Sequence, residues 1–220
     1  LIFLAPFFAE AQQVAGLKPS QTVLLYADSF DANIDPVFGK EIVYGGFKTQ
    51  ESNGLTGPET ITERGMLKNV SDLARVDLYF PKKPNGQMVV VCPGGGYSII
   101  SSYNEGLYVA DWFLSKGITV CVVKYRLPNH NHTVPYADVA NAFRYCRANA
   151  EEWGVKQIGV IGFSAGGHLA ASLGTMWDKK EIYDEIDMPY GYNKPDGMML
   201  IYPVLSDHYG SFQNLFMKET

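Results

Sequence analysis

From Gln87 onward, short apolar runs alternate with longer stretches in which apolar residues recur every three or four positions. Met88 to Cys92 (MVVVC) contains no polar residue and predicts a strand buried on both faces. Glu105 to Lys116 sets Leu107, Ala110, Phe113 and Leu114 on one face and predicts a helix, with Gly117 as its C-terminal cap. Ile118 to Val123 (ITVCVV) predicts a second buried strand. Pro135 to Ala150 predicts a second helix, with Tyr136, Val139, Phe143, Cys146 and Ala150 in line and Pro135 suited to the first turn. Ile158 to Ile161 predicts a third strand, Ala165 to Met176 a third helix through Leu169, Leu173 and Met176, and Met198 to Leu205 (MMLIYPVL) a fourth strand. Three strand-to-helix alternations imply right-handed crossovers and a mostly parallel sheet with helices on both faces, an α/β architecture. Ligand sites in such sheets lie at the carboxyl ends of the strands.

The chain before this pattern is less regular. Residues 13–75 carry one apolar run, Thr22 to Tyr26, and turn-rich stretches such as Ser52-Asn53-Gly54 and Thr56-Gly57-Pro58. They are expected to form an N-terminal extension of the core, with a few strands, rather than a separate domain. Val76 to Phe80 (VDLYF) alternates with period two and precedes a turn region, Pro81 to Gly86. The simple expectation is a hairpin strand beside the next one. Leu1 to Ala9 is an unbroken apolar run ending in Ala9-Glu10-Ala11, small-x-small as a signal-peptidase site requires. With no initiator Met and no charged n-region, residues 1–12 are expected to be part of a signal peptide. A short buried helix or strand is the alternative. Export implies a secreted or periplasmic protein, and no Cys follows the run to suggest a lipid anchor.

Composition and charge narrow the partners. The chain has 46% apolar and 19% charged residues, as an ordinary globular protein does. Its net charge is −5 and neither Lys nor Arg clusters, which argues against nucleic acid or an anionic membrane surface as partner. No segment approaches the ~20 apolar residues of a membrane span. Three cysteines, Cys92, Cys121 and Cys146, lie within apolar patterns and are expected to be buried free thiols. No spacing suggests a metal, and no cofactor is implied.

Two glycine-rich segments fall at strand ends. Gly162-Phe163-Ser164-Ala165-Gly166 matches G-x-S-x-G between a strand and a helix, so the chain must reverse at Ser164 in a tight turn that lifts the hydroxyl clear of the sheet. Residues 162 and 166 must be small, because a side chain there would strike the neighbouring strand or helix. The alternative is a glycine-rich turn with a capping Ser. Pro93-Gly94-Gly95-Gly96-Tyr97 directly follows the first parallel strand. Three glycines let backbone amides turn toward a substrate, and each amide aimed at a developing oxyanion is worth roughly 3–4 kcal/mol. The Ala165 amide would supply another donor. A phosphate-binding loop is excluded, because no Lys-Ser/Thr follows and the helix does not start at once.

These motifs resemble the secreted α/β-hydrolases of polysaccharide-degrading bacteria, grouped with acetyl-xylan and feruloyl esterases. The resemblance is carried by VVCPGGGY (90–97), Glu105-Gly106, VVKYRL (122–127), GFSAGGHLA (162–170) and YPVLSDHYGSFQNLF (202–216), and it covers roughly residues 52–216. It implies the α/β-hydrolase fold over residues 76–220, Ser164 as nucleophile, and Gly95 or Gly96 with Ala165 as oxyanion donors. It further implies an acyl-enzyme route that removes acetyl or feruloyl groups from an acylated polysaccharide such as xylan. Tyr97, Tyr103 and Tyr125 lie near strand ends and could stack on sugar rings, with Tyr97 the candidate to contact a substrate; packing within the core is the alternative. A peptidase or general acyl hydrolase on the same fold, and a non-catalytic binding module, remain the alternatives.

The rest of a triad is harder to find. This fold orders its triad Ser, then Asp or Glu, then His. His168 lies one helical turn beyond Ser164 and is read as structural, part of GGHLA. His130 and His132 precede the nucleophile and could at most line the cleft. Asp207 and His208 are adjacent and do not easily form the acid–base pair of one triad. By the resemblance, the acid and base are expected beyond residue 220, so the core is expected to be truncated at its C-terminus.

Overall fold

Seven strands pair into one sheet in the computed structural model, which describes residues 16–26, 42–47, 60–62, 65–68, 74–179 and 191–206. In chain order they are β1 (Gln21–Tyr26), β2 (Ile42–Phe47), β3 (Arg75–Tyr79), β4 (Gln87–Cys92), β5 (Thr119–Lys124), β6 (Gln157–Phe163) and β7 (Gly197–Ile201). Their order across the sheet is β2-β1-β3-β5-β4-β6-β7. Only β3 runs against its neighbours, β1 and β5. The other pairs are parallel. A separate two-stranded ladder joins Thr60–Ile61 to Leu67–Lys68.

Side chains alternate between faces along each strand, and the two core clusters follow that alternation. Met88, Val90 and Cys92 of β4 point to one face, with α2 (Thr133–Asn149) and α3 (Ala165–Met176) packed over it. Val89 and Val91 point to the other, under α1 (Tyr108–Leu114). Covered on both faces, β4 can carry the unbroken apolar run seen in its sequence. Cys92, Cys121 and Cys146 are all buried and unpaired, and burial alone pushes the Cys92 thiol up to about 12.

Three sequence expectations change. The β3 strand is not a hairpin partner of β4, because β5 lies between them. Charge explains the pairing. Asp77 of β3 is buried, and its carboxylate receives Lys124 Nζ of β5 at 2.8 Å and the Thr22 hydroxyl of β1 at 2.8 Å. The buried stretch of β4, Met88 to Cys92, is wholly apolar and offers no such partner. The helix expected from Glu105 begins instead as a π-turn, Tyr103–Leu107, and becomes α-helical only at Tyr108. It closes at Gly117, whose φ of 77° permits paired bonds from the amides of Gly117 and Ile118 to the carbonyls of Leu114 and Phe113. The last strand stops at Ile201, since Tyr202 takes φ 37° and Pro203 has no amide to offer a ladder. Residues 1–12 lie outside the described residues. Among the described residues no helix is long and apolar enough to cross a membrane.

Candidate active site

The chain leaves β4 toward β5 on one side and reaches β6 on the other, so the strand order reverses at β4. Crevices form at such reversals. Cys92 pairs with Gly162 across β4 and β6, so the loop after β4 and the turn after β6 emerge side by side. The glycine triplet and Ser164 are therefore neighbours by sheet register.

Ser164 has φ 51° and ψ −116°, a conformation a non-glycine residue adopts at a cost of about 1–3 kcal/mol. The surroundings hold it there. Its amide donates to Ile201 O at 3.1 Å, and its carbonyl accepts from the amides of His168 at 3.1 Å and Val204 at 3.2 Å. The side chain does not cap its own helix, and among the described residues Ser164 Oγ has no hydrogen-bond partner. The hydroxyl is thus not committed to any described residue. The two flanking glycines are steric necessities. A Cβ on Gly162 would collide with Gly166 O and come within 2.8 Å of Ala170 Cβ, and one on Gly166 would strike the carbonyls of Cys92 and Pro93.

The loop after β4 is anchored from beneath. Tyr125 Oη donates to Pro93 O at 2.7 Å, and the Gly94 amide donates to Glu105 Oε2 at 2.7 Å. Gly94 O accepts from the Ser101 amide, and Gly95 O accepts from the amides of Ser98 and Ile99. Peptide bonds are trans, so each N–H points opposite the preceding carbonyl. The amides of Gly95 and Gly96 are therefore turned out of the loop while the carbonyls of Gly94 and Gly95 are turned in. The positive φ values of Gly95 (137°) and Gly96 (63°) make that arrangement possible. Beside them, Ala165 opens α3 with an amide that no helical carbonyl can reach. The loop that carries Gly95 and Gly96 and the first amide of α3 thus flank the turn at Ser164, with the positive end of α3 beside it.

Tyr97 is placed differently from expectation. It is 2% exposed, and its hydroxyl lies 2.7 Å from His168 Nδ1. Its φ of 56° turns the ring down against Tyr125 and His168 rather than out toward a ligand. Tyr97 therefore anchors the loop from below and offers no face to a sugar. Tyr125 is fully buried as well. His168, read as structural, packs between Tyr97 and Tyr136, and burial lowers its pKa to about 4. Burial also lowers the pKa of His132, which sits against Tyr136. Asp207 and His208 lie outside the described residues.

Two site residues carried no assigned role in the sequence. Glu105, from the π-turn, puts a carboxylate oxygen 2.8 Å from where a Gly94 Cβ would stand, and that position is 3.0 Å from Ser164 Cβ. Tyr202, just past β7, donates its hydroxyl to Glu105 Oε1 at 3.0 Å and is 62% exposed. The Glu105-Gly106 pair was visible only as part of a motif, and its partners are remote in sequence. No group of three or more His, Cys, Asp or Glu side chains suited to a metal occurs among the described residues.

The family model described as BD-FAE matches residues 76–217, well over half of the chain. The chain belongs to the BD-FAE family. The BD-FAE chain is 37% identical over 149 residues to an acetylxylan esterase of Xylanibacter ruminicola, covering 66% of this chain and 28% of that protein. It is 33% identical over 128 residues to endo-1,4-beta-xylanase B of Butyrivibrio fibrisolvens, covering 54% and 19% respectively. It thus spans less than a third of either relative. Among solved structures it resembles an acetyl ester-xyloside bifunctional hydrolase from Caldicellulosiruptor lactoaceticus. That likeness has a TM-score of 0.62 at 27% identity and covers 93% of this chain and 66% of the other. The BD-FAE match spans β3 to β7 and so includes Ser164 and both glycine-rich segments. The sheet and its helices are those of an α/β-hydrolase.

Proposed function

We propose that this protein is an exported carboxylic ester hydrolase that removes acetyl, or feruloyl, groups from plant polysaccharide such as xylan through an acyl-enzyme on Ser164. The observation that carries the reading is the strained Ser164, its hydroxyl bonded to no described residue, beside the glycine loop and the first amide of α3. The acetylxylan esterase and the acetyl ester-xyloside hydrolase support the ester and the sugar. The apolar run at residues 1–9 supports a secreted or periplasmic location.

In this reading Ser164 Oγ attacks the ester carbonyl carbon and loses its proton to a general base. The carbonyl oxygen becomes an oxyanion held by the amides of Gly95 or Gly96 and of Ala165. The sugar alcohol leaves with the proton, and water then releases the acid from Ser164. We place the base and its acid partner outside the described residues, where Asp207 and His208 also lie.

Ser164→Ala in the full-length protein is the test, assayed on acetylated xylan, p-nitrophenyl acetate and aminoacyl substrates. Turnover of the esters should fall by about 10⁴-fold or more, with the fold intact by circular dichroism. Ester turnover at the wild-type rate by the alanine variant would sink the assignment. Faster wild-type turnover of aminoacyl substrates than of esters would favour a peptidase.

A further inference from the structure

We propose that Glu105 is a positioning residue that sets the oxyanion loop through reach and hydrogen bonding rather than through its charge, with Tyr202 as its second anchor. Three observations lead there. First, both carboxylate oxygens are engaged: Oε2 accepts the Gly94 amide at 2.7 Å, and Oε1 accepts the Tyr202 hydroxyl at 3.0 Å. Neither bonds Ser164 Oγ, so Glu105 is not arranged as its base. Second, the Gly94 amide is the last one facing inward before the two outward amides of Gly95 and Gly96. Orienting that one peptide orients the next two, and glycines impose no preference of their own. Third, a carboxylate this close to Ser164 repels the negative charge that the reaction develops, so its sign opposes catalysis. A group whose charge is unhelpful and whose two oxygens bridge two loops acts by geometry.

The bridge joins distant parts of the chain. Glu105 comes from the π-turn before α1, Gly94 from the loop after β4, and Tyr202 from the turn after β7. Ser164 is bonded to that same turn through Ile201 O and the Val204 amide. One carboxylate thus ties the oxyanion loop to the segment that holds the nucleophile. A shift of about 1 Å between such groups can cost about 10²-fold in rate.

Two substitutions in the full-length protein separate reach from charge. Glu105→Gln keeps the reach: its amide oxygen accepts from Gly94, and its NH₂ donates to the Tyr202 oxygen. Glu105→Asp keeps the charge but is one methylene short. With p-nitrophenyl acetate, the Gln variant should hold kcat within about threefold of wild type, and the Asp variant should lose about tenfold or more with KM nearly unchanged. Amide hydrogen exchange at Gly94 should accelerate about tenfold or more in the Asp variant alone. An Asp variant as active and as protected as wild type would overturn the proposal, as would a Gln variant that loses more activity than Asp. The kcat arm rests on the esterase reading and the exchange arm does not. If the wild type hydrolyses no ester, that reading fails while exchange at Gly94 still decides the role of Glu105.

Discussion

Two regions of this sheet are built on opposite physical plans. Around Ser164, between β4 and β6, backbone groups do the work: three glycines, a strained Ser and the first amide of a helix. On the far side of β5 the interior holds charge. Asp138 of α2 receives Arg126 Nε and Nη2, the Arg126 amide and the Tyr26 hydroxyl, and all three residues are buried. Arg126 also lies 4.7 Å from the Tyr26 ring centroid. That network and the Asp77–Lys124 pair dock β1 and β3 onto the sheet. The lesson is a division of labour. In the proposed esterase, the donors for developing negative charge would come from the main chain and leave room for a substrate. Where strands must find the right neighbour, side-chain charges with one satisfying arrangement specify it. Substitutions in the charged region should therefore lower stability while leaving the rate of the folded fraction little changed.

The sharpest break is at the elbow. Gly166→Val would drive a side chain into the carbonyls of Cys92 and Pro93, so a loss of about 5 kcal/mol or failure to fold is expected, read by urea denaturation and soluble yield. Next, Asp138→Ala leaves a buried guanidinium without its carboxylate and should cost about 3–5 kcal/mol in the same assay. Its folded fraction should keep kcat within about twofold, which sharpens the contrast, and a large fall in kcat there would erase it. Gly95→Val puts a side chain at φ 137° against the Ile99 carbonyl, so it should reshape the loop, cost stability and lower the kcat of the folded fraction by about 10²–10³-fold. An unchanged kcat would show that the oxyanion donors lie elsewhere. The smallest effect concerns pH. His168 is held neutral by burial, with a pKa near 4 in the folded state against 6.5 when exposed. The unfolded chain therefore binds the extra proton first as pH falls, and stability should decline between about pH 6.5 and pH 4. His168→Gln should flatten that part of the stability–pH curve without altering it above pH 7.

The same contrast explains what the sequence could reveal. The elbow and the glycine loop were legible because their demands are local: small residues at fixed offsets, between an apolar run and a helical period. The β4, β5 and β6 strands were legible because burial on both faces leaves their central positions without a polar residue. The neighbours of β3 were not, since the reason for them is Asp77 meeting Lys124, 47 positions further along. Between sugar contact and packing, the sequence could not choose for Tyr97, because a motif fixes a residue's place in a loop but not the sign of its φ. Glu105 gained a role only when Tyr202 came to it from 97 residues away. Contacts of that span leave no periodicity to read.

The central claim, that Ser164 is the nucleophile, is tested most directly by labelling. Full-length protein is treated with a fluorophosphonate, digested, and its peptides are weighed. The expected result is one adduct, on the peptide carrying Ser164, absent from Ser164→Ala and accompanied by loss of ester hydrolysis in proportion to labelling. An adduct on another residue, or hydrolysis that persists with Ser164 fully labelled, would contradict it.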